Sequence, residues 1–65
     1  MRKFYLVVVK DEMMNELFEA LLRAMNIEFI KKLDNETEYD VWFNNDEEIE
    51  TLKKLDSLAI IKYGV

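Results

Sequence analysis

The sequence predicts an α+β fold in two layers, an antiparallel sheet with two helices on one side. Three observations lead there. The run Phe4-Tyr5-Leu6-Val7-Val8-Val9 is apolar without interruption and rich in valine, as a strand buried on both faces in mid-sheet would be. Met14, Leu17, Phe18, Leu21, Leu22 and Met25 recur at helical spacing. Residues 38–44 alternate Tyr39, Val41 and Phe43 with Asp40, Trp42 and Asn44, the period of a strand with one covered side.

Lys10-Asp11-Glu12 closes the first strand and opens a helix. Asp11 is placed to cap it, and Glu12 and Glu16 suit the positive end of the helix dipole. Phe18 and Leu21 are expected to be fully buried against the first strand. Asn26 is expected to end the helix in a left-handed conformation, which asparagine tolerates. Ile27 to Leu33 then reads as a half-buried strand, with Ile27, Phe29 and Leu33 on one side and Glu28, Ile30 and Lys32 on the other.

Asp34-Asn35-Glu36-Thr37 supplies a turn, and residues 38–44 form the third strand. Asn45-Asp46-Glu47-Glu48 is a capping box for a second helix, with Ile49, Leu52 and Leu55 inward and Lys53 and Lys54 at its negative end. Asp56-Ser57 ends it, and Leu58 to Tyr63 is the last strand. The order strand, helix, strand, strand, helix, strand divides into two β-α-β units joined by a hairpin. Two right-handed split crossovers of that kind give a ferredoxin-like sandwich with the first and third strands central.

Size and composition bound what such a domain does. The chain has 65 residues, read as a single domain over 1–65. A chain of that size buries only about 60% of the surface its unfolded form exposes. It has no cysteine and no histidine, so no disulfide or thiolate metal site reinforces it. Association between copies is the remaining common source of added burial, and size makes a homo-oligomer a working hypothesis. The net charge of −5 argues against broad binding to nucleic acid or anionic lipid. No apolar run approaches the roughly 20 residues of a membrane span. Met1-Arg2-Lys3 has the charge of a signal peptide, but a short apolar run and no small-residue cleavage site follow it. A cytoplasmic location is therefore expected.

Catalysis is short of parts. Without histidine or cysteine, Ser–His and Cys–His nucleophiles cannot be assembled. Ser57 is the only serine and fits a helix end, and the single glycine, Gly64, cannot build a phosphate-cradling loop. The expectation is a chain with no catalytic residues and no cofactor. Asp34, Glu36, Glu38 and Asp40 recur every second residue, as at the start of a calcium loop. However, Tyr39 stands where glycine is needed and Asn45 where the bidentate glutamate is needed, so no metal site is expected.

The layout resembles, as a fold, RNA-binding domains, small-molecule regulatory domains and metal chaperones alike. The first of these use aromatics on the central strands within a basic surface; Tyr5 and Trp42 qualify as rings, but the stretch around Trp42 is acidic. The metal chaperones use a cysteine pair, which is missing.

Two surfaces remain. With both helices on one side, the other sheet face has no cover from within the domain. Assigning Phe4, Leu6 and Val8 to the helix side buries the larger groups. The contact surface is then expected to hold Tyr5, Val7, Val9, Ile30, Trp42 and Ile61, joined by Tyr63. Scattered apolar residues on an open sheet are the plainer reading, but a tryptophan is costly to leave wet. The second surface is an acidic docking patch for a cationic partner: Asp34, Glu36, Glu38, Asp40, Asp46, Glu47, Glu48 and Glu50, with no Lys or Arg in residues 34–50. Acids that merely suit a helix start explain several of them.

The expected function is a non-enzymatic protein-interaction module that self-associates through the open face or an edge of its sheet. One alternative is a small acidic inhibitor that imitates nucleic acid in a partner's basic groove. Another is a regulatory domain that holds a small ligand.

Overall fold

The computed structural model describes residues 2–64, and side chains as far as Lys62. The elements are β1 (Lys3–Val9), α1 (Asn15–Ala24), β2 (Glu28–Lys31), β3 (Glu38–Phe43), α2 (Asp46–Lys53) and β4 (Ala59–Gly64). The strands form one sheet in the order β2-β3-β1-β4, and every neighbouring pair is antiparallel. This is the ferredoxin-like arrangement, with the valine-rich β1 and the aromatic β3 at its centre.

Side chains from both helices and the two central strands make one core. Phe18 and Leu22 of α1 and Ile49 and Leu52 of α2 pack with Val7, Val9, Tyr39, Val41 and Phe43. Fully burying an aliphatic or aromatic side chain of this kind contributes about 1.5–3 kcal/mol.

The register of β1 overturns one expectation. Tyr5 lies opposite Val41 and Val7 opposite Tyr39. Directly opposed residues of an antiparallel pair point to the same side of the sheet. Tyr5, Val7 and Val9 therefore project toward the helices, where Val7 is 0% exposed. Phe4, Leu6 and Val8 are the residues on the open face. Both triplets of β1 are apolar, so side-chain size within the strand could not decide between them; its pairing with β3 does.

Helix α1 also starts differently. Asp11 Oδ1 accepts the Met13 N–H at 2.9 Å, and Glu12–Met14 form a single 3-10 turn ahead of the α-helix. The buried residues of α1 are Asn15, Phe18 and Leu22, while Leu21 is half-buried and Leu17 is 62% exposed. At 100° per residue the apolar arc from Met13 to Leu22 spans about half the helix circumference, more than one sheet face covers. Asn15 was missed as a core residue because it is polar. Its Nδ2 donates to the Glu36 carbonyl at 2.7 Å, tying α1 to the β2–β3 turn. Its buried Oδ1 has no partner among the described residues.

The remaining caps follow the sequence. Asn26 takes φ 59°, the left-handed turn that ends α1. Asn45 Oδ1 accepts the Glu48 N–H at 2.9 Å, and Glu48 returns a bond to the Asn44 N–H at 2.7 Å. Strand β2 is shorter than the expected 27–33. Lys32 N–H donates to the Glu38 carbonyl at 2.9 Å beyond its end, and Leu33 is left fully exposed in the turn.

Candidate functional site

The uncovered face of the sheet is built mainly on β1 and β3. Phe4 pairs with Trp42 across the two strands, and their rings lie 5.2 Å apart, tilted by 45°. Leu6, the next residue of β1 on this face, is only 7% exposed although no helix lies over it. Val8 continues the row half-buried, and Ile30 on β2 and Ile60 on β4 extend it to both edges with much of their surface in water. Two ion pairs lie on the face: Arg2 with Glu28, and Lys32 with Asp40 at 3.8 Å, Asp40 standing between Leu6 and Ile30 in the row.

Of the contact residues expected from the sequence, Ile30 and Trp42 are here. Tyr5, Val7, Val9 and Ile61 are on the helix side instead, Tyr5 packing edge-on against Phe43 at 5.6 Å and Ile61 against the core. Phe4, Leu6, Val8 and Ile60 take their places. The side chain of Tyr63 lies outside the described residues. Trp42 is half-buried, because the Phe4 ring covers part of it.

The acidic patch does not hold together. Glu38 begins β3 opposite Val8, whereas Phe43 ends it opposite Lys3. Six residues of strand, about 20 Å at 3.3 Å each, thus separate Asp34, Glu36 and Glu38 from Asp46, Glu47 and Glu48. Asp46 is bound to Lys3 at 2.6 Å, Asp40 to Lys32, and Glu50 to Lys53 at 3.5 Å. The hydrogen bond from Lys3 holds the Asp46 carboxyl below its ordinary range and raises the Lys3 ammonium. A different pair of acids meets instead. The Glu36 carboxyl lies close to that of Glu12 and raises it above its ordinary range.

Neither sheet edge offers a better template. Strand β2 is four residues long and its Glu28 is held by Arg2. The β1–β4 pairing shifts register between Leu6 and Val7. Short, charged or bulged edges discourage strand addition.

Two open hollows flank the sheet. One, about 370 Å³, is lined by Arg2, Arg23, Asn26, Ile27, Glu28 and Asn44. Both of its guanidiniums already bind carboxylates, Arg2 that of Glu28 and Arg23 that of Glu19 at 3.2 Å. The other lies between β4 and the end of α2, beside Lys53, Asp56 and Ile60. A part-buried polar contact between α1 and the sheet is structural in character. The Tyr39 hydroxyl donates to Glu19 Oε2 at 2.6 Å, and burial followed by that bond pushes the phenol well above its ordinary range.

No protein-family model, no curated protein and no solved structure matches this chain. Among the described residues no helix is long and apolar enough to cross a membrane.

Proposed function

We propose that this chain is a non-enzymatic interaction module that associates with a second copy of itself through the uncovered face of its sheet. The observation that carries the reading is the Phe4–Trp42 ring pair, set beside Leu6 where no helix covers it. Removing the rest of such a pair from water contributes at about 25 cal/mol per Å². Tryptophan is also over-represented among residues that dominate interfaces.

Charge argues for a like partner. Four charged groups on the face, Arg2, Glu28, Lys32 and Asp40, pair off within the chain. Glu38, opposite Val8, adds one acid with no ion pair among the described residues, so the face carries only a small part of the chain's −5 and two copies meet with little opposition between acids. A strongly cationic partner finds little to hold there. Area sets the strength. Four strands at about 4.8 Å spacing and about 20 Å long give a footprint near 400 Å². A standard interface buries about 800 Å² per partner, so association is expected to be weak and concentration-dependent.

Light scattering from micromolar to millimolar concentration tests this. The mass should rise from 7.9 kDa toward twice that value. Trp42→Lys should remain folded and monomeric throughout. A wild-type chain that is still monomeric at millimolar concentration would overturn the reading.

A further inference from the structure

The outer side of α1 is a second apolar surface, and it differs from the sheet face in charge. Met13 is 89% exposed and Leu17 62%, and Met14, Ala20 and Ala24 are exposed beside them. At 100° per residue, Leu17, Ala20 and Ala24 fall within about 60° of one another on α1, and Met13 precedes them in the 3-10 turn at its start. Their spacing of four, three and four residues is that of the seam between two paired helices. The two alanines leave room for a second helix to approach to about 8 Å between axes. This chain does not use the seam, since its core takes Asn15, Phe18 and Leu22 from the other side of α1.

The surroundings are mainly acidic, with Lys31 of β2 the base that acts on Glu12. Residues 11–22 contain Asp11, Glu12, Glu16 and Glu19 and no Lys or Arg. Glu12 and Glu16 run along one flank of the seam, and Glu36 of the β2–β3 turn meets Glu12 there. Arg23, the one base of the helix, is held by Glu19 at 3.2 Å. A second copy would bring the same excess of acids to the contact.

From this juxtaposition of an exposed Met-Leu-Ala seam and an acidic flank, we infer that the outer face of α1 docks a basic amphipathic helix of a partner protein. The partner lays apolar residues at the same spacing against Met13 and Leu17, and its Lys or Arg side chains face Glu12 and Glu16. Methionine, unbranched and polarizable, lets the seam adapt to differing apolar side chains. This surface is on the opposite layer from the sheet face, and the two can be tested separately.

The probe is a peptide of about 14 residues, long enough to span the seam of about 17 Å, made of leucine and lysine in amphipathic helical order. A peptide of the same composition in scrambled order is the control. Each is titrated into the isotope-labelled full chain and followed by NMR. Saturable binding of the ordered peptide is expected, weakening as salt is added. The Met13, Met14 and Leu17 methyl signals should move while the Trp42 indole signal stays. Leu17→Lys, at an exposed position that folding does not need, should weaken binding at least about tenfold, and Met13→Lys should do the same. The inference is overturned if the scrambled peptide binds equally, if the shifts map to Phe4 and Trp42, or if neither peptide binds at millimolar concentration. A wild-type mass that falls on Leu17→Lys would also overturn it, by showing that the seam is a contact between copies.

Discussion

On the helix side of the sheet Val7, Tyr39, Val41 and Phe43 are wholly buried, in one cluster with Phe18, Leu22, Ile49 and Leu52. On the open side Phe4, Trp42 and Ile60 each keep part of their surface in water, and Leu6 is buried with no helix over it. The same strand feeds both sides, three apolar residues to each. Hydrophobic content therefore does not separate residues that hold the fold together from residues free to meet something else. What separates them is whether a second layer lies over them.

Charge at one β1 position should give the largest contrast. Val7→Lys buries an ammonium with no counter-charge among the core side chains, a cost of several kcal/mol against a total stability of about 5–15 kcal/mol. The variant is expected to be unfolded by circular dichroism. Trp42→Lys, on the other side of the sheet, should retain a cooperative melt. A folded Val7→Lys variant would dissolve the distinction between the faces.

Helix α1 allows the same comparison at smaller scale. Leu22→Ala should destabilise by about 2–5 kcal/mol in denaturant titrations. Leu17→Ala, one turn away and largely in water, should stay within about 0.5 kcal/mol of wild type. Equal costs would mean that Leu17 faces the core.

Tyr39→Phe removes one hydrogen bond to Glu19 and keeps the ring against Phe18, whose centroid is 5.0 Å away. A loss of about 1 kcal/mol is expected by the same titration.

The smallest effects concern pH. Asp46 is lowered by Lys3, so its contribution to stability is present above its ordinary value of 3.8 and is lost as pH falls through the lower folded value. Asp46→Asn should thus melt earlier than wild type at pH 7, and the difference should vanish in strong acid. Glu12 is raised by Glu36, which has the opposite sign. Its contribution is present below the ordinary value of 4.5 and is lost as pH rises through the folded value. Glu12→Gln should melt later than wild type at pH 7 and show no such advantage near pH 3. Both parts are read from thermal melts across pH, and reversed signs would contradict the assigned contacts.

Element types, their order and the caps at Asn26 and Asn45 were legible because each rests on local chemistry, whereas Asp11 caps a 3-10 turn and not α1 itself. The inward row of β3 was legible as well, since Tyr39, Val41 and Phe43 alternate with polar or amphipathic residues. The faces of β1 were not. Its two rows are equally apolar, and only the long-range register of Tyr5 with Val41 assigns them. The acidic run of residues 34–50 looked like one patch because sequence distance is short, but β3 carries its two halves to opposite ends of the sheet. Asn15 was hidden for another reason. Its burial depends on the Glu36 carbonyl, 21 residues away.

The assignment of the open face to assembly is tested most directly by the emission of Trp42, the only tryptophan in the chain. In the single chain the ring packs against Phe4 and is half-buried. Its fluorescence, followed together with mass over a dilution series, should shift to the red as the mass falls from dimer to monomer, with both transitions at the same midpoint. An emission maximum that stays fixed while the mass halves would place the contact somewhere other than Trp42 and contradict the assignment.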